Sequence, residues 1–408
     1  MAEQHEKALV PQIRFTGFTD PWEQRKLGEL FEESDERASD REILSVSVAN
    51  GIYPASESDR ETNPGASLAN YKVVHSGDVV YNSMRMWQGA VDASRYDGTV
   101  SPAYVVAKPN SEVYARFFAR LLRQPMLLKQ YQQVSQGNSK DTQVLKFDDF
   151  ASIEISMPAS ENEQRQIGAF FDRLDSLITL HQRKYDKLCV LKKSMLDKMF
   201  PKGGSLYPEI RFAGFTDPWE QRKLGEVGIT YPGLHGKKKD DFGHGDAFFV
   251  PYTNVVDNPV TDQGRLEHVE VDSSQAEVRY GDVFFTVSSE TPEEVGMSSI
   301  WLGNIRNVYL NSFCFGYRQD GSFDPLYLAY VLRSQPVRKQ IELLAQGISR
   351  FNISKNKVMD VEVPEPSLTE QRRIGAFFDR LDSLITLHQR KLELLRNIKK
   401  SMLDKMFV

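Results

Sequence analysis

A near-identical internal repeat constrains this chain more than any other feature. Residues 13–29 read IRFTGFTDPWEQRKLGE, and 210–226 read IRFAGFTDPWEQRKLGE, one difference at an offset of 197. Residues 163–184, EQRQIGAFFDRLDSLITLHQRK, return at 370–391 with one change, and KKSMLDKMF at 192–200 returns intact at 399–407. A period of this length is too long for a solenoid unit. The chain must instead execute one plan twice: a short block, a variable segment, a long block. The variable segments, 30–162 and 227–369, share only sparse echoes, GDVVY (77–81) with GDVFF (281–285) and QGNSK (136–140) with QGISR (346–350).

The long block has helical periodicity. Ile167, Phe171, Leu174, Ile178, His181, Tyr185 and Leu188 follow alternating steps of four and three, as do Ile374, Phe378, Leu381, Ile385, His388, Leu392 and Leu395. That spacing makes a coiled-coil-like seam. Phe170, Leu177, Leu191 and Met195 are expected to widen its buried stripe. Prolines 158, 201 and 366 bracket the runs, predicting helices over about 161–200 and 368–407. Each would be ~60 Å long. A lone helix of this kind would leave its stripe in water. The expected partner is the other copy, antiparallel and within the chain; a homodimeric coiled coil is the alternative. His181 and His388 lie on the seam as hydrogen-bonded or partly exposed residues, since no further ligand stands at metal-binding spacing.

In the short block, Asp20-Pro21 and Asp217-Pro218 resemble a helix N-cap and first helical residue, or a turn. Trp22 and Trp219 are expected to anchor the segment. The variable segments carry strand-like runs, among them Tyr71–Val74, Val79–Tyr81, Ala247–Val250 and Val283–Thr286. Each has one helical stretch, Val113–Val134 or Leu326–Leu344, and ends in a strand-like run, Ile153–Ile155 or Val361–Val363. The fold class expected is mixed α/β (α+β), with largely antiparallel sheets in two domains and two long repeated helices pairing as an antiparallel coiled coil with pseudo-twofold symmetry.

Composition narrows the function. A net charge of −5 argues against a histone-like nucleic-acid binder. The basic residues are gathered, however. Residues 116–146 hold six Lys/Arg against Asp141, and 335–357 hold five against Glu342. Gly236-Lys237-Lys238-Lys239 adds a basic loop, and Gln, Asn and Ser residues are interleaved. Lys and Arg suit phosphates; Asn, Gln and Arg suit base edges. The charged N-terminal residues do not read as a signal peptide, and no apolar run suits a membrane span. Cys189 and Cys314 form neither a CxxC motif nor a disulfide framework, so a reduced, cytoplasmic protein is expected.

Catalytic motifs are missing. No GxxxxGK[ST] loop, GxSxG, HExxH or glycine-rich dinucleotide turn occurs. Asp324-Pro325-Leu326-Tyr327 is similar to the DPPY tetrad of amino-methyltransferases, but it lacks the second proline and is expected to start a helix. The residues describe a binder.

The whole pattern resembles the DNA specificity subunit of type I restriction-modification enzymes. GFTDPWEQRKLGE at 17–29 and 214–226 carries the resemblance, with EQRxIGAFFDRLDSLITLHQRK at 163–184 and 370–391. It covers essentially the whole chain, and both repeats are complete, as in a full-length subunit. It implies repeat segments at 1–23 and 201–220, target-recognition domains at 24–160 and 221–366, and spacer helices at 161–200 and 367–408. Each domain would read half of a split, asymmetric double-stranded DNA target. The helices would set the spacer, and their length matches roughly 17 base pairs. They would also scaffold two methyltransferase subunits that use S-adenosylmethionine to methylate a flipped adenine. Two restriction/translocase subunits would supply ATP- and Mg-dependent motor and nuclease activity. The chain itself would be non-catalytic, hold no cofactor or metal, and have no membrane partner.

By placement in such domains, the expected DNA contacts are Asn82, Arg85, Trp87, Gln136, Asn138, Ser139 and Lys140 in the first. In the second they are Lys237, Lys238, Asn254, Ser288, Gln346, Ser349, Arg350 and Asn352. A coiled-coil scaffold with two protein-binding domains is the alternative function. Near-identical flanks around dissimilar domains also invite recombination that exchanges the domains.

Overall fold

The computed structural model describes residues 9–58, 68–137 and 143–408. The chain divides into two compact units, one running up to His181 and completed by Lys391–Val408, the other comprising Gln182–Arg390. The division cuts through both long helices, Glu161–Lys198 and Leu368–Lys405.

In each unit the short block becomes a strand. Glu23–Lys26 pairs antiparallel with Glu154–Met157, and Glu220–Lys223 with Glu362–Glu365. The strand of the repeat therefore closes on the strand that leads into the long helix. The Asp-Pro pairs lie at bends and start no helix. Trp22 and Trp219, 3% and 1% exposed, pin these bends into their cores.

Each variable segment builds its own four-stranded sheet, and the two sheets have the same strand layout. In the first unit the four-stranded order is Phe31–Glu33, Tyr104–Pro109, Val79–Asn82, Val91–Ala93. In the second it is Gly228–Pro232, Cys314–Gln319, Val283–Thr286, Ser298–Ile300. The GDV echoes enter the equivalent inner strands, whose valines and aromatics are buried on both faces. Among the described residues the strand pairings are antiparallel except that of Phe242–Val250 with Val308–Leu310, and isolated parallel bridges join Ile43 to Thr99 and Val260 to Ile300. The single helical stretches expected in each domain are divided. Ala115–Leu121 is followed by Pro125–Val134, and Pro325–Val331 by Gln335–Leu343. Pro125 and Pro336 sit in the first turn of the second helix, and Gln124 and Ser334 before those helices are extended.

The long helices meet antiparallel inside each unit. In the first, Phe407 lies 6.0 Å from Phe171 between ring centroids, and Lys399 pairs with Asp175 at 2.5 Å. In the second, Phe200 stacks on Phe378 at 5.9 Å, and Lys192 pairs with Asp382 at 2.5 Å. Burial concentrates at Ile167, Phe171 and Leu174 and at Ile374, Phe378 and Leu381. Phe170 and Met195 pack against the cores as expected. Leu177 and Leu191, expected in the buried stripe, are instead 43% and 40% exposed. Further along the seam Leu392 is also buried, at 4% exposed.

The repeated motif Ile-Gly-Ala-Phe-Phe has a steric reason. A β-carbon at Gly168 would stand 2.8 Å from the Tyr114 ring, and one at Gly375 would stand 2.7 Å from Leu326 Cβ and Tyr327 N. Only glycine lets the domain's first helix butt against the long helix this closely.

Candidate nucleic-acid interface

In the second unit, the inner strand Val283–Thr286 runs on into Ser288–Ser289, which pairs antiparallel with Phe351–Asn352. Ile353 N donates to Val287 O at 2.9 Å, locking the two segments together. Gln346 and Asn352 exchange backbone hydrogen bonds of 2.9 and 2.8 Å, which closes the QG turn between them. Gly347 within it has φ 140°, and a β-carbon there would collide with Arg350 O. Arg350 Nε reaches Ser288 Oγ at 3.3 Å, and Tyr252 OH donates to Ser288 O at 2.8 Å. The fold thus brings Ser288, Gln346, Ser349, Arg350 and Asn352 to one edge. All are exposed except Ser288, which is half-buried, and exposed Lys355 and Lys357 follow directly.

The first unit repeats the arrangement. Leu145 N donates to Ser83 O at 2.9 Å, and Gln136 and Val144 exchange bonds of 3.0 and 2.8 Å. Gln136 Nε2 also donates to Asp149 Oδ2 at 3.0 Å. Asn82 Oδ1 accepts from Met84 N at 3.0 Å, so its amide helps shape the loop. Arg85 is exposed. Trp87 is half-buried against the core, with Nε1 donating to Met84 O at 3.2 Å, and it buttresses the loop. Asn138, Ser139 and Lys140 lie outside the described residues.

Several expectations require correction. Asn254 is fully buried. Its Nδ2 donates to Asp262 O and Arg265 O, and its Oδ1 accepts from Asp262 N and Asn258 Nδ2. A buried amide with every group engaged has nothing to offer a base edge. Lys237 is paired with Asp272 at 3.1 Å and its side chain is 12% exposed. The Asp272 carboxyl is held well below the usual carboxylate range by the Ser274 hydroxyl and backbone N–H, Gln275 and Lys237. Lys238 is exposed in the same loop.

The basic strips are also largely spoken for. Arg116 and Arg120 pair with Asp172, Arg120 also with Asp175, and Arg123 Nε donates to Val91 O at 2.8 Å. Arg338, 8% exposed, donates to the carbonyls of Gly296, Glu293 and Val295. Exposed cations remain at Lys129, Lys146, Lys339, Arg350, Lys355 and Lys357.

Structural residues of comparable weight escaped the sequence reading. Arg14 forks onto Glu163 and Arg211 onto Glu370, both carboxylates 1% exposed. Gln164 Oε1 accepts from Tyr114 N and Gln371 Oε1 from Asp324 N, both at 2.8 Å, tying the long helix to the domain. Arg333 donates to the carbonyls of Ser298, Val255, Val256 and Asn258. Arg333 corresponds to Arg123, and the signal was the echo LRQP (122–125) with LRSQP (332–336). Asp324 caps the helix that follows it, accepting from Tyr327 N at 3.1 Å, so the DPLY tetrad is a helix start.

Among the described residues no helix is long and apolar enough to cross a membrane, and no group of His, Cys, Asp and Glu could hold a metal ion. A family model for the type I restriction modification DNA specificity domain matches residues 19–189 and again 216–397. The type I restriction enzyme MjaVIII specificity subunit of Methanocaldococcus jannaschii is 22% identical over 277 residues, 62% of this chain. The match spans 61% of that relative's own length. The type I restriction-modification S subunit from M. genitalium aligns in structure with a TM-score of 0.55 and 13% identity, covering 98% of this chain and 99% of that one. That likeness concerns the fold.

Proposed function

The chain belongs to the type I restriction modification DNA specificity family, and from that membership we propose that it is the sequence-reading subunit of a type I restriction-modification complex. Each variable domain, 24–160 and 221–366, reads one half of a bipartite, asymmetric DNA target. The helical segments 161–200 and 367–408 set the spacer and scaffold two methyltransferase subunits. S-adenosylmethionine belongs to those subunits, and ATP and Mg to two restriction/translocase subunits. The chain itself recognises and does not catalyse, and it works in the cytoplasm with its DNA.

The observation that carries the DNA-reading role is the edge formed by Ser288–Ser289 and Phe351–Asn352. It presents Gln346, Ser349, Arg350 and Asn352 together, with Lys355 and Lys357 alongside. Amide and guanidinium groups can read base edges from there while lysines hold phosphates. Exposed leucines at 177, 180 and 191, and at 384, 387 and 394, supply apolar helix surface for the scaffolding role.

The test is a map of methylated adenines in cells making the complex with this chain. A single split motif is expected, and exchanging residues 221–366 for another domain should change one half only. Methylation without sequence preference, or with both halves altered by that exchange, overturns the assignment.

A further inference from the structure

The two QG motifs share three of their five residues. Gln346-Gly347-Ile348-Ser349-Arg350 matches Gln136-Gly137-Asn138-Ser139-Lys140 in its glutamine, glycine, serine and final cation, but has isoleucine where the first copy has asparagine. Ile348 is 98% exposed. The turn around it is fixed: Gln346 and Asn352 close it, and Arg350 is tied to Ser288. An aliphatic side chain is therefore held on a rigid polar turn while contributing no burial to its own unit. A second apolar side chain, Phe313, is 61% exposed beside the same edge, its carbonyl accepting from Val287 N at 3.0 Å.

Asparagine and isoleucine suit different bases. An amide can bond the N6 and N7 edge of adenine, whereas an aliphatic group finds one apolar feature in the major groove, the 5-methyl of thymine. An exposed position that differs between corresponding motifs, in domains that read different half-sites, is where such a choice would be made. Lys355 and Lys357 follow it and suit phosphates, and the neighbouring Arg350 suits a base edge or a phosphate.

We propose that Ile348 is a specificity-determining residue of the second unit, reading the 5-methyl group of a thymine in the major groove. This rests on the DNA-reading function above. The side chain is exposed, so replacing it removes no core contact and the thermal unfolding of the chain should not change.

The test selects binding sites for the full chain from a duplex library with a randomised core. The wild type should enrich thymine at one position that Ile348→Ala no longer prefers, with all other positions retained. Ile348→Asn should move that preference toward adenine. Replacing the thymine with deoxyuridine should weaken wild-type binding by roughly fourfold, the worth of one buried methyl, and leave Ile348→Ala unaffected. If Ile348→Ala still enriches the same thymine, or deoxyuridine costs the wild type nothing, the assignment of Ile348 is overturned while DNA reading stands. No enrichment by the wild type would overturn the DNA-reading function itself.

Discussion

The guanidinium of Arg211 clasps the carboxylate of Glu370 through two hydrogen bonds of 2.7 and 2.8 Å, although the two residues lie 159 positions apart. Arg14 and Glu163 form the same fork at 2.6 and 2.8 Å. In both cases a residue of the short block holds the first turn of a long helix. The near-identity of the blocks thus has a mechanical meaning: they are the two halves of one clasp, made twice.

Opening a clasp should be expensive. Arg211→Ala leaves Glu370 as an unpaired buried charge, and a loss of about 3–5 kcal/mol is expected. Arg211→Lys should recover only part of it, because an ammonium cannot make the fork. Urea unfolding of the two variants checks this, and a loss below ~1 kcal/mol for Arg211→Ala would show the pair to be dispensable.

Gly375→Ala should destabilise despite alanine's better helix propensity. The added methyl would meet Leu326 Cβ and Tyr327 N at 2.7 Å. Overpacking of this kind costs about 1–3 kcal/mol, more than the ~1 kcal/mol that alanine gains in a helix. The same urea titration reads the sign directly.

Arg333 and Arg350 should separate stability from binding. Arg333→Ala strands four carbonyls and should lower the unfolding midpoint. Arg350→Ala should leave unfolding unchanged, weaken DNA binding, and, if the group meets a phosphate, reduce the salt slope by about one. Calorimetry and salt-dependent binding isotherms distinguish the two outcomes.

The two thiols should react differently. Burial pushes the Cys314 thiol up to about 12, against the smaller opposing effect of the Asn311 amide that donates to it at 3.3 Å. Its stabilising contribution is fully present below the unfolded value of about 8.5 and is lost as pH rises from there toward 12. A thiol reagent at pH 8 should therefore label half-buried Cys189 rapidly and Cys314 only on unfolding. Rapid labelling of both in the native state would contradict this.

Much of the architecture was legible because it rests on periodicity and repetition. The four-and-three spacing marked both long helices to within two residues of Glu161–Lys198 and Leu368–Lys405. The tryptophans of the short blocks declared their burial by size. The GDV and QG echoes marked equivalent strands and turns in two domains whose sequences otherwise differ. The candidate site was less legible. Asn254 and Arg338 have the composition of a binding surface, yet they are enclosed and engaged.

The sequence by itself determined that one plan is made twice, where its helices run, and which family it resembles, because spacing and repetition are properties of the linear chain. Only the tertiary structure decided which polar groups remain free. Arg333 spends its donors on the carbonyls of residues 35 to 78 positions away, while Arg350, of identical chemistry, stands exposed with a single bond to Ser288. A guanidinium's role depends on which acceptors the folded backbone brings within about 3 Å, and those acceptors come from distant parts of the chain.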